Sequence, residues 1–209
     1  MKTKLHHHLF FLLCLWPLMS SFTEKNEGLS ILIVDPQNST VLWTGSYTFN
    51  FNEHRGAIKL LKGEIEMTGE QITGGSFVLD MTSIENHDMR GDSAARDLEK
   101  HLKSSDFFDV AKFPKALFTI TKATPVTANA GEPNYEITGN LTLKGVKNTL
   151  TFRATSTKVN GELKVSAKLK FDRTRWNVRY DSGKFFSNIG DGAISDAIGL
   201  EILLVANGC

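Results

Sequence analysis

The chain has 209 residues, of which 41% are hydrophobic and 22% are charged, and this balance excludes an intrinsically disordered protein. Lysine and arginine number 24 against 23 aspartates and glutamates, so the formal net charge is +1 and nothing in it indicates a nucleic-acid-binding protein. The length favours one domain around a single core.

The first 21 residues have the pattern of a secretory signal peptide. Lys2 and Lys4 precede an apolar run, residues 9–16, and the small residues Ser20 and Ser21 follow it. The run is about half of the roughly 20 residues that a membrane-spanning helix needs, so a cleaved leader is favoured over a retained anchor. We therefore expect a periplasmic or secreted protein with no stable membrane span after leader removal.

Removal of the leader, residues 1–21, would leave a mature domain of residues 22–209. Its only cysteine would be Cys209, because Cys14 lies in the leader. The mature domain would therefore contain no internal disulfide. An intermolecular disulfide through Cys209, and with it a homodimer, stays open beside an unreacted chain end.

Most of the mature domain shows apolar residues that alternate with polar ones, which is typical of half-buried strands. The pattern is clearest at residues 135–144 and 162–171. In chain order the alternating segments are residues 43–51, 57–67, 76–81, 116–122, 135–144, 150–154, 162–171 and 198–205.

Short links rich in glycine and asparagine separate these segments, and their length predicts antiparallel hairpins. They are residues 62–63, 73–75, 144–148 and 159–162. About eight or nine strands with one wet face each would expose two edges as an open sheet, whereas closure removes both edges. The sequence therefore predicts an all-β protein with a single antiparallel β-barrel of about eight strands.

One segment departs from the alternation and predicts a short amphipathic helix over residues 92–102. Its apolar residues are three and four apart from Ala94 to Leu102, and Asp92 or Ser93 is available as the N-cap. A helical turn follows at residues 105–110, with Ser105 or Asp106 as its cap. The helix and the turn, about residues 92–110, are expected to cover one end of the barrel.

The turn places Phe107 and Phe108 between two aspartates. An eight-stranded barrel is either just filled by its side chains or leaves room for one small ligand. We expect Phe107 and Phe108 to plug the lumen at the covered end. The alternative is that these rings only close a core, and the two interpretations are compatible.

Three stretches resemble the YceI-like polyisoprenoid-binding proteins, which are exported bacterial proteins with a lipocalin-like barrel. They are HLKSSDFFDVAKFPKALFTITKATPV, YEITGNLTLKGVKNTLTFRATS and FDRTRWNVRYDSGKFFSNIGDGAISDAIGLEILLVA. The segments DPQNSTVLWTG, GAIKLLKGEIEM and GGSFVLDMTSI fit as well, so the resemblance covers nearly all of the chain after the leader.

The resemblance implies a barrel that holds an extended amphiphile, such as an isoprenoid chain, in an apolar tunnel with its polar head near an opening. Leu102, Phe107, Phe108 and Pro114 match the family motif, whereas Asn177 stands where a glycine is common. The family has no agreed catalytic residues, so the resemblance implies none here. Each buried CH₂ of such a chain contributes roughly 0.8 kcal/mol without any specific polar contact.

The candidate ligand-binding residues are the inward-facing apolar positions and one basic and aromatic cluster. Arg173, Arg179 and Tyr180 are candidate contacts for a phosphate or carboxylate head, because guanidinium binds such groups in a fork. The alternative for the arginines is a surface loop paired with Asp172 and Asp181. The candidate lumen residues are Trp43, Phe49, Phe77, Leu79, Met81, Phe107, Phe108, Phe118, Ile120, Ile137, Leu141, Phe152, Val165, Leu169, Phe171 and Trp176.

No pattern indicates catalysis, a metal or a cofactor. His54, His87 and His101 lie far apart in the sequence, and no Cys-x-x-Cys, His-Glu-x-x-His or Gly-x-Ser-x-Gly motif occurs. The loop ENHDMRGD, residues 85–92, is more typical of a solvated polar loop than of a cation site.

We therefore expect a protein that is not an enzyme and that binds, stores or transports a lipid-like small molecule, such as a polyisoprenoid, a fatty acid or an amide. An enzyme that modifies isoprenoids in the same cavity is one alternative, which a titratable inward-facing group would favour; the alternating faces predict none. A filled barrel with a structural or interaction role is the other.

Overall fold

The computed structural model describes residues 28–49, 52–187 and 189–208. The predicted leader, residues 1–21, and both cysteines lie outside these ranges. The α-helix is α1 (Ser93–Lys103), and short 3-10 helices occupy Arg173–Trp176 and Gly190–Gly192. The strands are β1 (Leu29–Val34), β2 (Thr40–Ser46), β3 (Glu53–Thr68), β4 (Gln71–Asn86), β5 (Lys115–Pro125), β6 (Tyr135–Leu143), β7 (Val146–Val159), β8 (Glu162–Asp172) and β9 (Ala197–Gly208).

Strands β2 to β9 form a closed antiparallel barrel. Each strand pairs with the next along the chain, and β9 pairs back with β2. The extra strand β1 continues the line of β2, because it pairs with the parts of β3 and β9 that β2 does not reach. The prediction of an all-β, single-barrel fold with about eight strands is therefore confirmed.

Two of the four predicted hairpin links reverse the chain, and two do not. Residues 144–145 and 160–161 have positive φ at both positions, as a two-residue hairpin turn requires. Residues 62–63 and 73–75 lie inside β3 and β4, and the reversal between these strands occurs at Gly69 and Glu70. The prediction failed there because β3 and β4 are 16 residues long and absorb their irregular positions as shifts in register.

Helix α1 begins and packs as its sequence predicts. The Asp92 side chain accepts a hydrogen bond from the Ala94 backbone N–H, which identifies Asp92 as the N-cap. Ala95 and Leu102 are buried against the barrel, and α1 contacts β4. The apolar face of α1 therefore covers one end of the barrel, hereafter the helical end.

The turn after α1 also forms, but with a different cap. The Ser104 hydroxyl accepts from the Asp106 backbone N–H and donates to the His101 carbonyl, so Ser104 replaces the expected Ser105 or Asp106. Pro114 ends the turn, and its carbonyl accepts from the Met81 N–H where β5 begins. This contact ties the covering segment to the barrel wall.

The connection from β8 to β9, residues 173–196, completes the cover at the helical end. Asn177 ends the first 3-10 helix with φ of 59°, a left-handed conformation that asparagine tolerates better than most residues. Asparagine can therefore adopt the conformation of this position, at which a glycine is common in the family that the sequence resembles. The buried Trp176 donates from its Nε1 to the Leu141 carbonyl at 2.9 Å and so fastens this connection to β6.

Three aromatic rings of the barrel interior lie against the bare backbone of a glycine. A Cβ at Gly56 would stand 2.7 Å from two atoms of the Trp43 ring, and one at Gly63 would stand 2.8 Å from Phe77. A Cβ at Gly139 would stand 2.4 Å from the Phe118 ring. Each ring thus occupies the place of a missing side chain on a neighbouring strand and does not project fully into the lumen.

Replacement of Gly139 by alanine tests this packing. The added methyl group would meet both Phe118 and the Thr119 carbonyl, so we expect Gly139→Ala to lower the free energy of unfolding by about 1–3 kcal/mol. Gly183→Ala is the matched control, because no atom lies within 4 Å of its added Cβ. Urea unfolding of both variants measures the effect, and an equal, small change in both would contradict the packing argument.

Candidate ligand-binding site

The barrel encloses two apolar cavities that adjoin along its axis. The helical-end lobe has a volume of about 130 Å³ and lies beneath α1 and the turn after it. The second cavity, the hairpin-end lobe, has a volume of about 100 Å³ and lies toward the opposite end of the barrel. The side chains shared by both linings are Val41, Leu79, Leu141 and Leu200. These four residues form a waist between the two lobes, and the lobes and the waist together are hereafter called the tunnel.

Most of the predicted lumen residues lie in these linings. The helical-end lobe is lined by Trp43, Leu79, Met81, Phe107, Phe108, Leu141 and Phe171 from the predicted set. The hairpin-end lobe is lined by Phe77, Leu79, Phe118, Ile120, Ile137, Leu141, Phe152, Val165 and Leu169. Alternation along the strands therefore placed the strand residues of this set in the cavity linings, whereas Phe107 and Phe108 belong to the turn after α1.

Two predicted lumen residues lie elsewhere. Phe49 is 69% exposed, because it follows β2 in a loop where strand alternation no longer applies. Trp176 is fully buried but lines neither lobe, since its ring packs edge-on against Phe171 and its N–H is bonded to Leu141. The lumen positions expected for Phe49 and Trp176 are therefore wrong.

Phe107 and Phe108 lie where the plug was expected, in the lining of the helical-end lobe. Phe107 is buried and forms an aromatic group with His101 and Tyr180, at centroid distances of 5.1 and 5.4 Å. Phe108 is only half-buried. The lobe is thus closed on this side by two rings held by the turn after α1.

Arg173 reaches the lining of the helical-end lobe, and three of its five N–H donors are bonded to backbone carbonyls. Its side chain is fully buried and donates to the backbone carbonyls of Ser195, Val178 and Ile194 at 2.9–3.1 Å. Burial lowers the pKa of the Arg173 guanidinium, and the carboxylate of Asp196, 3.6 Å away, opposes this effect. Arg173 therefore holds the cover of the barrel together.

Arg179 and Tyr180 lie outside both linings. The Arg179 guanidinium donates to the Asn177 side chain and lies over the ring of Phe185 at 4.5 Å. Tyr180 packs against His101 on the outer side of Phe107. Neither residue contributes to the cavity walls, because the chain turns outward after the buried Val178, and their contact with a ligand head stays a prediction.

His54 lines the helical-end lobe, a position that the sequence analysis missed. His54 lies on the same inward face of β3 as Gly56 and Ile58. Its position two residues before Gly56 could have predicted this from the sequence. Its Nδ1 lies 2.9 Å from the Asp88 carboxylate. The expectation that the tunnel faces carry no titratable group is therefore wrong.

Asp88 is held in its ionised form at neutral pH. Burial raises the pKa of the Asp88 carboxyl, but hydrogen bonds from the Arg55 backbone N–H, from His54 and from the Asn86 side chain outweigh it and lower the pKa to about 2. An ionised carboxylate only accepts hydrogen bonds, so the contact with Asp88 requires a hydrogen on His54 Nδ1. The His54 ring is thereby fixed at the rim of the barrel.

Within residues 28–49, 52–187 and 189–208, no group of three or more histidine, cysteine, aspartate or glutamate side chains is arranged to hold a metal ion. In the same ranges, no helix is long and apolar enough to cross a membrane.

A closed eight-stranded barrel with apolar interior cavities is an architecture that has room for one small ligand. The chain belongs to the family of YceI-like domains, whose model matches residues 33–206.

Known proteins and structures agree with this assignment. A UPF0312 protein of Pseudomonas putida (strain W619) is 44% identical over 64 residues, which are 31% of this chain and 30% of that relative, so the match spans under a third of its length. BcnA of Burkholderia cenocepacia has a TM-score of 0.64 at 22% identity, covering 83% of this chain and 99% of BcnA. A polyisoprenoid-binding domain from Saccharophagus degradans, implicated in plant cell wall breakdown, has a TM-score of 0.63 at 14% identity. The match covers 87% of this chain and 100% of that domain. At these identities, the two structures show the fold.

Replacement of Arg173 tests its structural role. Arg173→Met would leave three buried carbonyls without donors, and we expect the free energy of unfolding to fall by about 2–4 kcal/mol. Arg175→Met, in the same 3-10 helix but exposed, should change it by less than about 1 kcal/mol. Equal effects of the two substitutions in chemical denaturation would contradict the assignment.

The Asp88 carboxyl predicts a defined pH dependence. Its pKa is lower in the folded protein than the ordinary value of 3.8, so its stabilisation is present above about pH 4 and is lost as the pH falls toward 2. Asp88→Asn should therefore lower stability at pH 7, and its difference from the wild type should shrink between pH 4 and pH 2. Urea midpoints across this range measure it, and a difference that stays constant would contradict the prediction.

Proposed function

We propose that the protein binds an amphiphilic lipid-like molecule in the two-lobed tunnel and stores or carries it without chemical change. The observation that supports this most directly is the hairpin-end lobe, which is lined only by valine, leucine, isoleucine, phenylalanine and alanine side chains. Such a lining offers a hydrocarbon chain burial but offers a polar molecule no partner.

The energetics of chain burial suit this role. Each buried CH₂ contributes roughly 0.8 kcal/mol, so a short length of isoprenoid or acyl chain is bound firmly without any specific polar contact. The space in the two lobes also favours a binding protein over a barrel filled by its own side chains. The polyisoprenoid-binding domain from Saccharophagus degradans, which shares the fold, adds support for a ligand of this class.

The amino-terminal pattern supports a proposed location. Lys2 and Lys4, the apolar run and the small residues after it favour export through a cleaved leader, and we infer that the mature domain, residues 22–209, acts in the periplasm or outside the cell. There a closed barrel would keep an insoluble chain out of water.

A second candidate function has one specific observation in its favour. His54 lines the tunnel and has its Nδ1 on an ionised carboxylate, an arrangement that also occurs in general acid–base catalysis. An enzyme acting on isoprenoids would return a chemically altered ligand, and His54→Gln would abolish the change. Chromatography and NMR of the ligand before and after incubation, which also detect isomers of equal mass, separate the two functions.

A block placed in the hairpin-end lobe tests the binding proposal. Ala167 lines this lobe and its neighbour Ser166 is exposed, so Ala167→Phe adds a ring inside the tunnel and Ser166→Phe adds the same ring outside. We expect wild type and Ser166→Phe to bind geranylgeraniol alike. Exclusion of about four carbons from the lobe in Ala167→Phe should weaken binding roughly 100-fold.

Tryptophan-fluorescence titration of the three proteins measures these affinities. Equal binding by the two variants, or no binding by the wild type, would contradict the proposal. Urea unfolding of Ala167→Phe, run in parallel, confirms that the added ring is accommodated.

A further inference from the structure

The surfaces of both lobes are apolar, but the lobes differ in the types of side chain that surround them. Whereas the hairpin-end lobe is lined by hydrocarbon side chains alone, the helical-end lobe includes Trp43, Ser46, Tyr47, His54 and Arg173 in its lining. Burial of an unpaired polar group among hydrocarbon is unfavourable, so an amphiphile would place its chain in the hairpin-end lobe. Its polar head would then lie in the helical-end lobe.

The polar residues of the helical-end lobe do not suit an anionic head. Arg173 is the one lysine or arginine in that lining, and its guanidinium already donates to three backbone carbonyls and lies 3.6 Å from Asp196. His54 has its Nδ1 on the carboxylate of Asp88. A carboxylate or phosphate entering the lobe would therefore meet an arginine and a histidine that each already lie beside a carboxylate.

Trp43 carries a donor that lacks an acceptor. Its side chain is 8% exposed and lines the lobe, and among the described residues nothing accepts a hydrogen bond from its Nε1. A buried N–H without an acceptor is unfavourable, so an acceptor supplied by a ligand would be bound strongly. The Nε1 of Trp176, in contrast, donates to the Leu141 carbonyl.

Space for such an acceptor lies beside Trp43 on the same face of the wall. Gly45, two residues along β2, has no side chain, and a Cβ there would meet nothing nearer than Ile198 Cδ1 at 3.8 Å. The Trp43 ring rests on Gly56, its partner on β3, and Nε1 is covered by surrounding atoms. Because Nε1 is covered, the indole has to tilt toward the lobe for a ligand acceptor to reach it.

We propose that the helical-end lobe is a head-group site for uncharged amphiphiles, in which a carbonyl oxygen of the ligand accepts the hydrogen bond of Trp43 Nε1. This inference rests on the proposed lipid-binding function and adds the chemical class of the head. The head is a ketone, an ester or an amide, and carboxylates and phosphates are disfavoured.

Three isoprenoid probes test the proposal: farnesylacetone, a ketone; farnesene, a hydrocarbon; and farnesoic acid, a carboxylate at pH 8. Because farnesylacetone has the longest carbon skeleton, the quantity compared is the ratio of its affinity to that of farnesene, in wild type and in Trp43→Phe. Trp43→Phe keeps most of the ring but removes the N–H. It should lower this ratio about tenfold, as loss of one hydrogen bond to a buried donor predicts, and change the affinity for farnesene less than about twofold.

Trp176→Phe is the matched control, because it removes the other described tryptophan N–H, which is bonded within the protein. It should lower stability and leave the preference for the ketone intact. A direct reading on unaltered protein comes from ¹⁵N-tryptophan labelling. Farnesylacetone should shift the Trp43 indole N–H resonance downfield, and farnesene should not.

The outcomes separate this inference from the proposed function. Equal binding of the three probes, tightest binding of the carboxylate, or a ratio of farnesylacetone to farnesene affinity that Trp43→Phe leaves unchanged would overturn the head-group site while the tunnel remains a lipid site. Failure of all three probes to bind would overturn both.

Discussion

The contact of aromatic rings with bare glycine backbone keeps the interior of this barrel hollow. Protein interiors are close-packed, and an eight-stranded barrel is narrow enough for its own side chains to fill. Here Trp43, Phe77 and Phe118 lie against glycines of neighbouring strands, so three of the largest side chains take up less of the lumen than their size implies. The tunnel and its two lobes depend on this arrangement.

The cover at the helical end depends on a buried charge. Arg173 ties three carbonyls of the connection between β8 and β9, and Trp176 fastens the same connection to β6. Because the Arg173 guanidinium is bonded to these carbonyls, the arginine expected to bind a ligand head instead stabilises the cover of the barrel. The polar groups that remain beside the tunnel belong to β2 and β3, where an uncharged head is accommodated better than an anion.

The sequence predicted the fold and most of the tunnel wall, because alternation along a strand determines which side chains face inward. Leu79, Phe118 and Leu141 follow this rule directly. Prediction failed where the rule ends: Phe49 lies in a loop, and Trp176 lies in a 3-10 helix. It failed again at Arg173, because the carbonyls that bind its guanidinium come from residues five to 22 positions away and form no local pattern.

The inward position of His54 and the close packing at three glycines could also have been predicted from the alternation along the strands. His54 has the inward parity of β3, and Gly56, Gly63 and Gly139 stand within strands, where a glycine often marks the close approach of another group. Which ring covers which glycine depends on strand register. The register follows from pairings between strands that the sequence does not display.

The central claim is that the tunnel holds a long apolar chain, and native mass spectrometry of the protein purified from its own host, followed by organic extraction, tests it most directly. The account predicts a reproducible adduct with the mass of a long-chain amphiphile, released intact into organic solvent. A bare protein mass that takes up neither polyprenyl nor fatty-acyl probes when they are added would contradict it.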